Sequence, residues 1–175
     1  LNADFDCLGS LAAAARLYPG ALLSFPGSQV KNLREFCARH PDLLPPFARS
    51  KDIELSRITR LIVVDCQQGS RIGRFAELLG RPGLTVHLYD HHPATADSIV
   101  ASGGVVRPVG ATATIMTGLL RERGIEPTPA EATLLLLGIH EDTGRLLFPT
   151  TTPEDYRAAA WLLEELLGRR YGGSS

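Results

Sequence analysis

The chain has 175 residues, 44% hydrophobic and 21% charged, which is enough for one globular domain with a sizeable core. A formal net charge of −1 gives no global pull toward nucleic acid or membrane, so a nucleic-acid substrate would need a local basic groove or a basic surface elsewhere. The longest apolar run, Leu134 to Ile139, is far shorter than the ~20 residues that span a bilayer.

Strands and helices alternate along the chain. Asn2-Ala3-Asp4-Phe5-Asp6 stands where a first strand would end, and most of that strand would lie before Leu1. Cys7 to Leu17 is rich in Ala and Leu and predicts a helix stopped by Pro19-Gly20. Ala21 to Phe25 predicts a short strand, and Ser28 an N-cap for a helix to about Ala38. Residues 40–52, with Pro41, Pro45 and Pro46, predict turns. Leu61 to Val64 is a continuous apolar run, as expected of a buried parallel strand. A helix follows from about Arg71 to Leu79, then a strand from Thr85 to Tyr89. Val105 to Val109 reads as a strand interrupted by Pro108, and so at an edge. Helices follow over residues 112–123, 129–139 and 153–167, the last with Thr152 as cap and Pro153 at its first position.

This alternation predicts an α/β fold: a doubly wound, mainly parallel five-stranded sheet flanked by helices, with its first strand largely missing. The domain is expected over 1–168, as a fragment of a longer chain, with 169–175 as a linker or chain end. Cys7, Cys37 and Cys66 lack CxxC spacing; they suit a reducing, cytoplasmic setting and serve most simply as packing residues.

In doubly wound sheets, ligands bind outside the carboxyl ends of the strands. Asp65 ends Leu61–Val64, Asp90-His91-His92 ends Thr85–Tyr89, and Asp4 and Asp6 would end the first strand. Asp142, in Gly138-Ile139-His140-Glu141-Asp142-Thr143-Gly144, follows an apolar helical run, where a turn could aim it at the same crevice. Each feature alone has a plainer reading. Asp65, or Asp4 with Asp6, could simply cap the next helix, and the paired histidines could be a surface pair. His40, His87 and His140 read as structural. Together the clusters say more. Several carboxylates crowded at one edge repel unless cations join them, and carboxylates with imidazole suit Mn²⁺ better than Mg²⁺. Two such ions can activate water and clamp both ends of an in-line phosphoryl displacement.

Asn-Ala-Asp-Phe-Asp at 2–6, Val-Asp at 64–65, Asp-His-His at 90–92 and Asp-Thr-Gly at 142–144 resemble the four ordered motifs of the DHH phosphoesterases. That superfamily includes RecJ-type exonucleases, oligoribonuclease/pAp-phosphatase proteins and family II inorganic pyrophosphatases. The resemblance runs from residue 2 to about 160. Phe25-Pro26-Gly27-Ser28-Gln29-Val30-Lys31-Asn32-Leu33-Arg34 and Thr150-Thr151-Thr152-Pro153-Glu154-Asp155 are similar to the DHH module heading large bacterial proteins. In those, DHH-associated and CBS domains and a tRNA nucleotidyltransferase/poly(A) polymerase-like domain follow.

The resemblance implies roles. Asp4 would bind one metal and Asp6 the other, with Asp65 bridging them. His91 and Asp142 would complete the second site, and His92 would be the catalytic or phosphate-contacting residue. Gly110-Ala111-Thr112-Ala113-Thr114 resembles the family's Gly-Ala-Thr segment, either an anion-holding helix start or a helix–sheet packing element. The family's first motif also has a His four residues before its first Asp, a position just before Leu1. The smaller domain that closes over the substrate would lie beyond Ser175. Two functions are therefore expected in competition. One is a two-metal phosphoesterase acting on short oligonucleotides or a nucleotide phosphate. The other is an RNA- or nucleotide-binding module of a tRNA-processing polypeptide, with weak or no hydrolysis.

Overall fold

The computed structural model describes residues 2–171; Leu1 and residues 172–175, part of the expected terminal linker, lie outside them. Five strands and five α-helices follow in the order β1 (Asn2–Ala3), α1 (Phe5–Leu17), β2 (Ser28–Gln29), α2 (Lys31–Arg39), β3 (Arg60–Val64), β4 (Thr85–Asp90), β5 (Gly103–Val106), α3 (Thr112–Glu122), α4 (Pro129–Asp142) and α5 (Pro153–Tyr171). Every ladder is parallel, as the predicted α/β class requires. The five strands are not joined edge to edge. β1 pairs with β2, and β3, β4 and β5 form a separate sheet in that order.

The apolar run of β3 is buried on both sides because its residues alternate between two cores. Ile62 and Val64 face the layer built from α1, α3, α4 and α5, while Leu61 and Val63 face Ile53, Phe75 and Leu78. β4 alternates likewise, with Tyr89 in the first core and Val86 and Leu88 in the second. β5 lies at the sheet edge, and Pro108 falls beyond its last residue, where no ladder bond is needed.

Three predicted elements differ. Ala21–Phe25 forms no strand; only Leu23 makes a parallel bridge, to Phe47, and Leu22 is exposed. Ser28 does not cap α2. It lies in β2 opposite Asn2, and Val30, two residues on, donates its N–H to Ala3 O (2.9 Å) and occupies the N-cap position without a side-chain bond. The predicted helix over 71–79 is instead two 3-10 segments, Gly69–Arg71 and Gly73–Leu78. Gly73 opens the second at φ 59°, where a Cβ would lie 2.7 Å from Pro26 O.

α4 begins with a capping box, Thr128 and Glu131 bonding reciprocally. At the start of α5 the expected roles are reversed. Asp155 accepts from the Thr152 N–H (2.6 Å) and hydroxyl (2.8 Å), so Thr152 donates rather than accepts. Two glycines let α1 and α4 touch. A Cβ at Gly9 would lie 2.8 Å from Leu134 O, and one at Gly138 would lie 2.9 Å from Asp6 Cα. The α1–α4 crossing therefore fixes where Asp6 sits.

Candidate metal centre

Parallel register brings the acidic residues to one edge. Val64 pairs with Tyr89, so Asp65 and Asp90 follow at the same level, and Asp65 N–H donates to Tyr89 O (2.9 Å). Asp65 leaves the strand at φ 56°, a left-handed conformation uncommon outside glycine and enriched where side chains are aimed for function. Its Oδ1 accepts from the Thr112 hydroxyl (3.0 Å) at the start of α3.

Asp6, in the first turn of α1, is fully buried. Its two oxygens accept the backbone N–H groups of Thr112 (2.8 Å) and Ala113 (2.7 Å). The Gly110–Thr114 segment thus offers its helix-start N–H groups to the chain's own Asp6 carboxyl rather than to an external anion. Asp4 caps α1 by accepting the Cys7 N–H (3.1 Å), so the plainer reading of that residue is also correct.

His91 is the hub. Its Nδ1 lies 3.0 Å from Val109 O; a carbonyl can only accept, so Nδ1 carries the proton and Nε2 is a lone-pair donor when the ring is neutral. Nε2 lies 3.0 Å from Asp142 Oδ2, 3.6 Å from Asp6 Oδ2 and 3.7 Å from Asp65 Oδ1, yet is buried without a hydrogen bond. Asp6, Asp65, His91 and Asp142 form one group able to surround a cation, and Asp4, Glu141 and Asp142 form another. Asp65, His91 and His92 also lie within reach of one another. Asp142, at the last position of α4, belongs to two of these groups, as do Asp65 and His91.

Electrostatics agree with this arrangement. Burial raises the pKa of Asp6 well above the usual carboxylate range, and the Asp142 charge adds to it. Asp65 is raised likewise, by burial and then by Asp6, Asp4 and Asp142. Burial also raises Asp4, with a further push from Asp142. For His91 burial opposes protonation, but Asp142, Asp6 and the Val109 carbonyl outweigh it and lift the ring to about 9. Buried carboxylates that resist ionising around an unbonded imidazole nitrogen make a donor set completed by a divalent cation. Burial raises the Cys7 thiol well above its usual range, in keeping with a packing residue.

The third member of the triplet is built differently. His92 Nδ1 lies 2.7 Å from Asp90 Oδ1, so Nδ1 is protonated and Nε2 is left for other work. Burial alone would raise Asp90, but the bond from His92 and the charges of His92 and His91 bring its pKa below the ordinary value. The His92 side chain is half exposed where that of His91 is 13% exposed. His140 is exposed and belongs to none of these groups, His87 bonds Tyr18 Oη, and His40 packs on Phe36.

Sequence reasoning missed two residues. Glu141 accepts from the Phe5 N–H (3.1 Å) and Asn32 Nδ2 (3.2 Å) and faces Asp4; its one signal is a second acid beside Asp142 at the end of an apolar helix. Gln67 is buried and donates to Asp90 Oδ2 (3.0 Å) and His92 O (2.6 Å), holding the triplet's loop. An uncharged residue two positions after Asp65 carried no signal.

Residues 1–139 match the DHH family, N-terminal domain. The chain is 57% identical, over 94% of its length, to an A-adding tRNA nucleotidyltransferase of Geobacter sulfurreducens, of which it covers 19%. It is 46% identical, over 93% of its length, to a Deinococcus radiodurans protein named probable manganese-dependent inorganic pyrophosphatase, covering 51% of it. Among solved structures, a candidate family II inorganic pyrophosphatase of Methanococcus jannaschii superposes with a TM-score of 0.71 at 25% identity, over 94% of this chain and 53% of that one. The chain thus spans about a fifth of the first relative and about half of the other two.

Proposed function

This chain belongs to the DHH family, and on that premise we propose that its acidic edge is a two-metal phosphohydrolase centre acting on short oligonucleotides or a nucleotide phosphate. The observation that carries the reading is the buried, unbonded Nε2 of His91 with three carboxylates within 3.7 Å. Asp6, Asp65, His91 and Asp142 would hold one ion, and Asp4, Glu141 and Asp142 the other. Imidazole among the donors favours Mn²⁺ over Mg²⁺, in keeping with the relative named as manganese-dependent. When bound, the ions supply Lewis acidity to the phosphoryl oxygens and an activated water.

The chain's own residues do the rest. Val109 fixes the His91 tautomer through Nδ1, and α3 fixes Asp6 through two N–H bonds. Asp90 fixes the tautomer of His92 through Nδ1, which leaves Nε2 as the nitrogen that exchanges a proton with the leaving oxygen. No helix among the described residues is long and apolar enough to cross a membrane.

A second reading is favoured by one observation: 57% identity to a tRNA nucleotidyltransferase of which the chain covers only 19%. On that reading the domain is an RNA- or nucleotide-binding module, joined to a DHH-associated domain, CBS domains and a nucleotidyltransferase domain in one cytoplasmic polypeptide. One experiment separates the two. The chain is supplied with Mn²⁺ and either pAp or a short RNA, and phosphate and mononucleotide release are measured beside Asp65→Asn. Release that the variant loses supports hydrolysis; retained RNA without release from either substrate supports the binding module.

A further inference from the structure

A groove of about 360 Å³ runs between α3 and α5. Its walls are two helix faces: Thr114, Thr117, Gly118, Arg121 and Glu122 on α3, and Glu154, Arg157, Ala158 and Trp161 on α5. Residues three and four apart share a helix face, so Thr114, Thr117 and Gly118 leave space on α3 opposite Ala158, with Arg121, Arg157 and Trp161 around it. Gly118 adds room, since a Cβ there would meet nothing within 4 Å. Arg107 closes one end.

The groove's three arginines outnumber its two glutamates, Glu122 and Glu154, by one, whereas acids outnumber bases by one in the whole chain. Arg107 is paired with Glu154 (2.8 Å), but among the described residues neither Arg121 nor Arg157 is in an ion pair. Both are exposed, while Trp161 is partly buried against the main core, which holds its indole in place. The groove is tied to the strand that carries the triplet. Arg107 follows Val106, the partner of Asp90 across the sheet, and its N–H donates to Asp90 O (3.2 Å).

We infer that this groove binds single-stranded RNA, with Arg121 and Arg157 on the phosphates and a base against the Trp161 indole. Guanidinium groups match phosphate oxygens, and an aromatic face beside them takes an unpaired base. An inorganic polyanion would use the arginines but has no use for the indole, so the combination selects a nucleic acid with free bases. The inference rests on the binding-module reading and gives it a site; it needs no metal, so it can fail while the phosphohydrolase reading stands.

Trp161 is the one tryptophan of the chain, so its emission reports the groove directly. Eight-residue oligoadenylate is titrated into the chain in EDTA, which silences the metal centre. Saturable quenching is expected, with Arg121→Glu/Arg157→Glu weakening binding at least about tenfold and flattening the salt dependence by a slope of about 1.4, for two lost phosphate contacts. Trp161→Phe keeps the packing and is read by anisotropy of labelled RNA, with an expected loss of about fivefold. Melting curves confirm that the variants are folded. Quenching by polyphosphate of equal charge to the same extent as by RNA would overturn the inference, as would an unchanged affinity in the folded double variant.

Discussion

Asp90 accepts the Nδ1–H of His92 at 2.7 Å, and this short bond divides the labour between two adjacent histidines. His91, one residue earlier, gives its Nδ1–H to a carbonyl and keeps Nε2 among carboxylates. Two neighbouring rings thus have the same tautomer but different surroundings, one closed in by acids and the other half open to solvent.

His92→Ala is expected to lower kcat for phosphate release from pAp by about 10²–10⁴-fold, and Asp90→Asn by about 10–100-fold. Mn²⁺ affinity, followed by calorimetry, should change little in either. A collapse of Mn²⁺ binding in His92→Ala would make His92 a ligand instead.

Asp142 belongs to both carboxylate-rich groups, whereas Asp4 belongs to one. Mn²⁺ at a hundred times its dissociation constant should raise the melting temperature by roughly 5–11 °C. Asp142→Asn should remove most of that rise and Asp4→Asn only part of it. Equal losses in thermal-shift titrations would contradict the sharing of Asp142.

The metal-free chain should lose stability as pH rises. The folded chain lifts His91 to about 9 from an ordinary 6.5, so this contribution is complete below 6.5 and is lost as pH rises through 9. Asp6 and Asp65 act in the same direction, because the folded chain keeps their protons at pH values where unfolded carboxyls have lost them. With saturating Mn²⁺ the trend should flatten or reverse, since ligands bind deprotonated. Melting curves at pH 6.5, 8 and 9.5, in EDTA and in Mn²⁺, check both signs.

Gly138→Ala places a Cβ 2.9 Å from Asp6 Cα and 3.0 Å from Phe5 O. It should cost about 1–3 kcal/mol and weaken Mn²⁺ binding by displacing Asp6. Gly118→Ala, with nothing within 4 Å, should instead stabilise α3 by up to about 1 kcal/mol. Urea melts of the two variants give the comparison.

Much of the centre was legible because its carriers have strong local signals. An unbroken apolar run locates β3 and therefore Asp65, and Thr85–Tyr89 locates the triplet. What escaped depends on contacts between distant segments. Gln67 matters only because the 92–99 loop folds back over it, and Glu141 because α4 ends beside Asn32 and Phe5. Ser28 failed as a cap because β1 claims its backbone, and the 71–79 helix failed at Gly73, where Pro26 leaves no room for a side chain. In both cases tertiary pairing overrode a sound local preference.

The bond from Thr112 N–H to Asp6 joins residues 106 apart in the chain. No short peptide can therefore rehearse this centre: its ligands come from segments far apart in the chain, and their meeting is a long-range closure. Metal capture is in consequence a test of maturity. An unfolded chain exposes the same aspartates without the geometry that holds them, so a cation bound here would stabilise only the folded form.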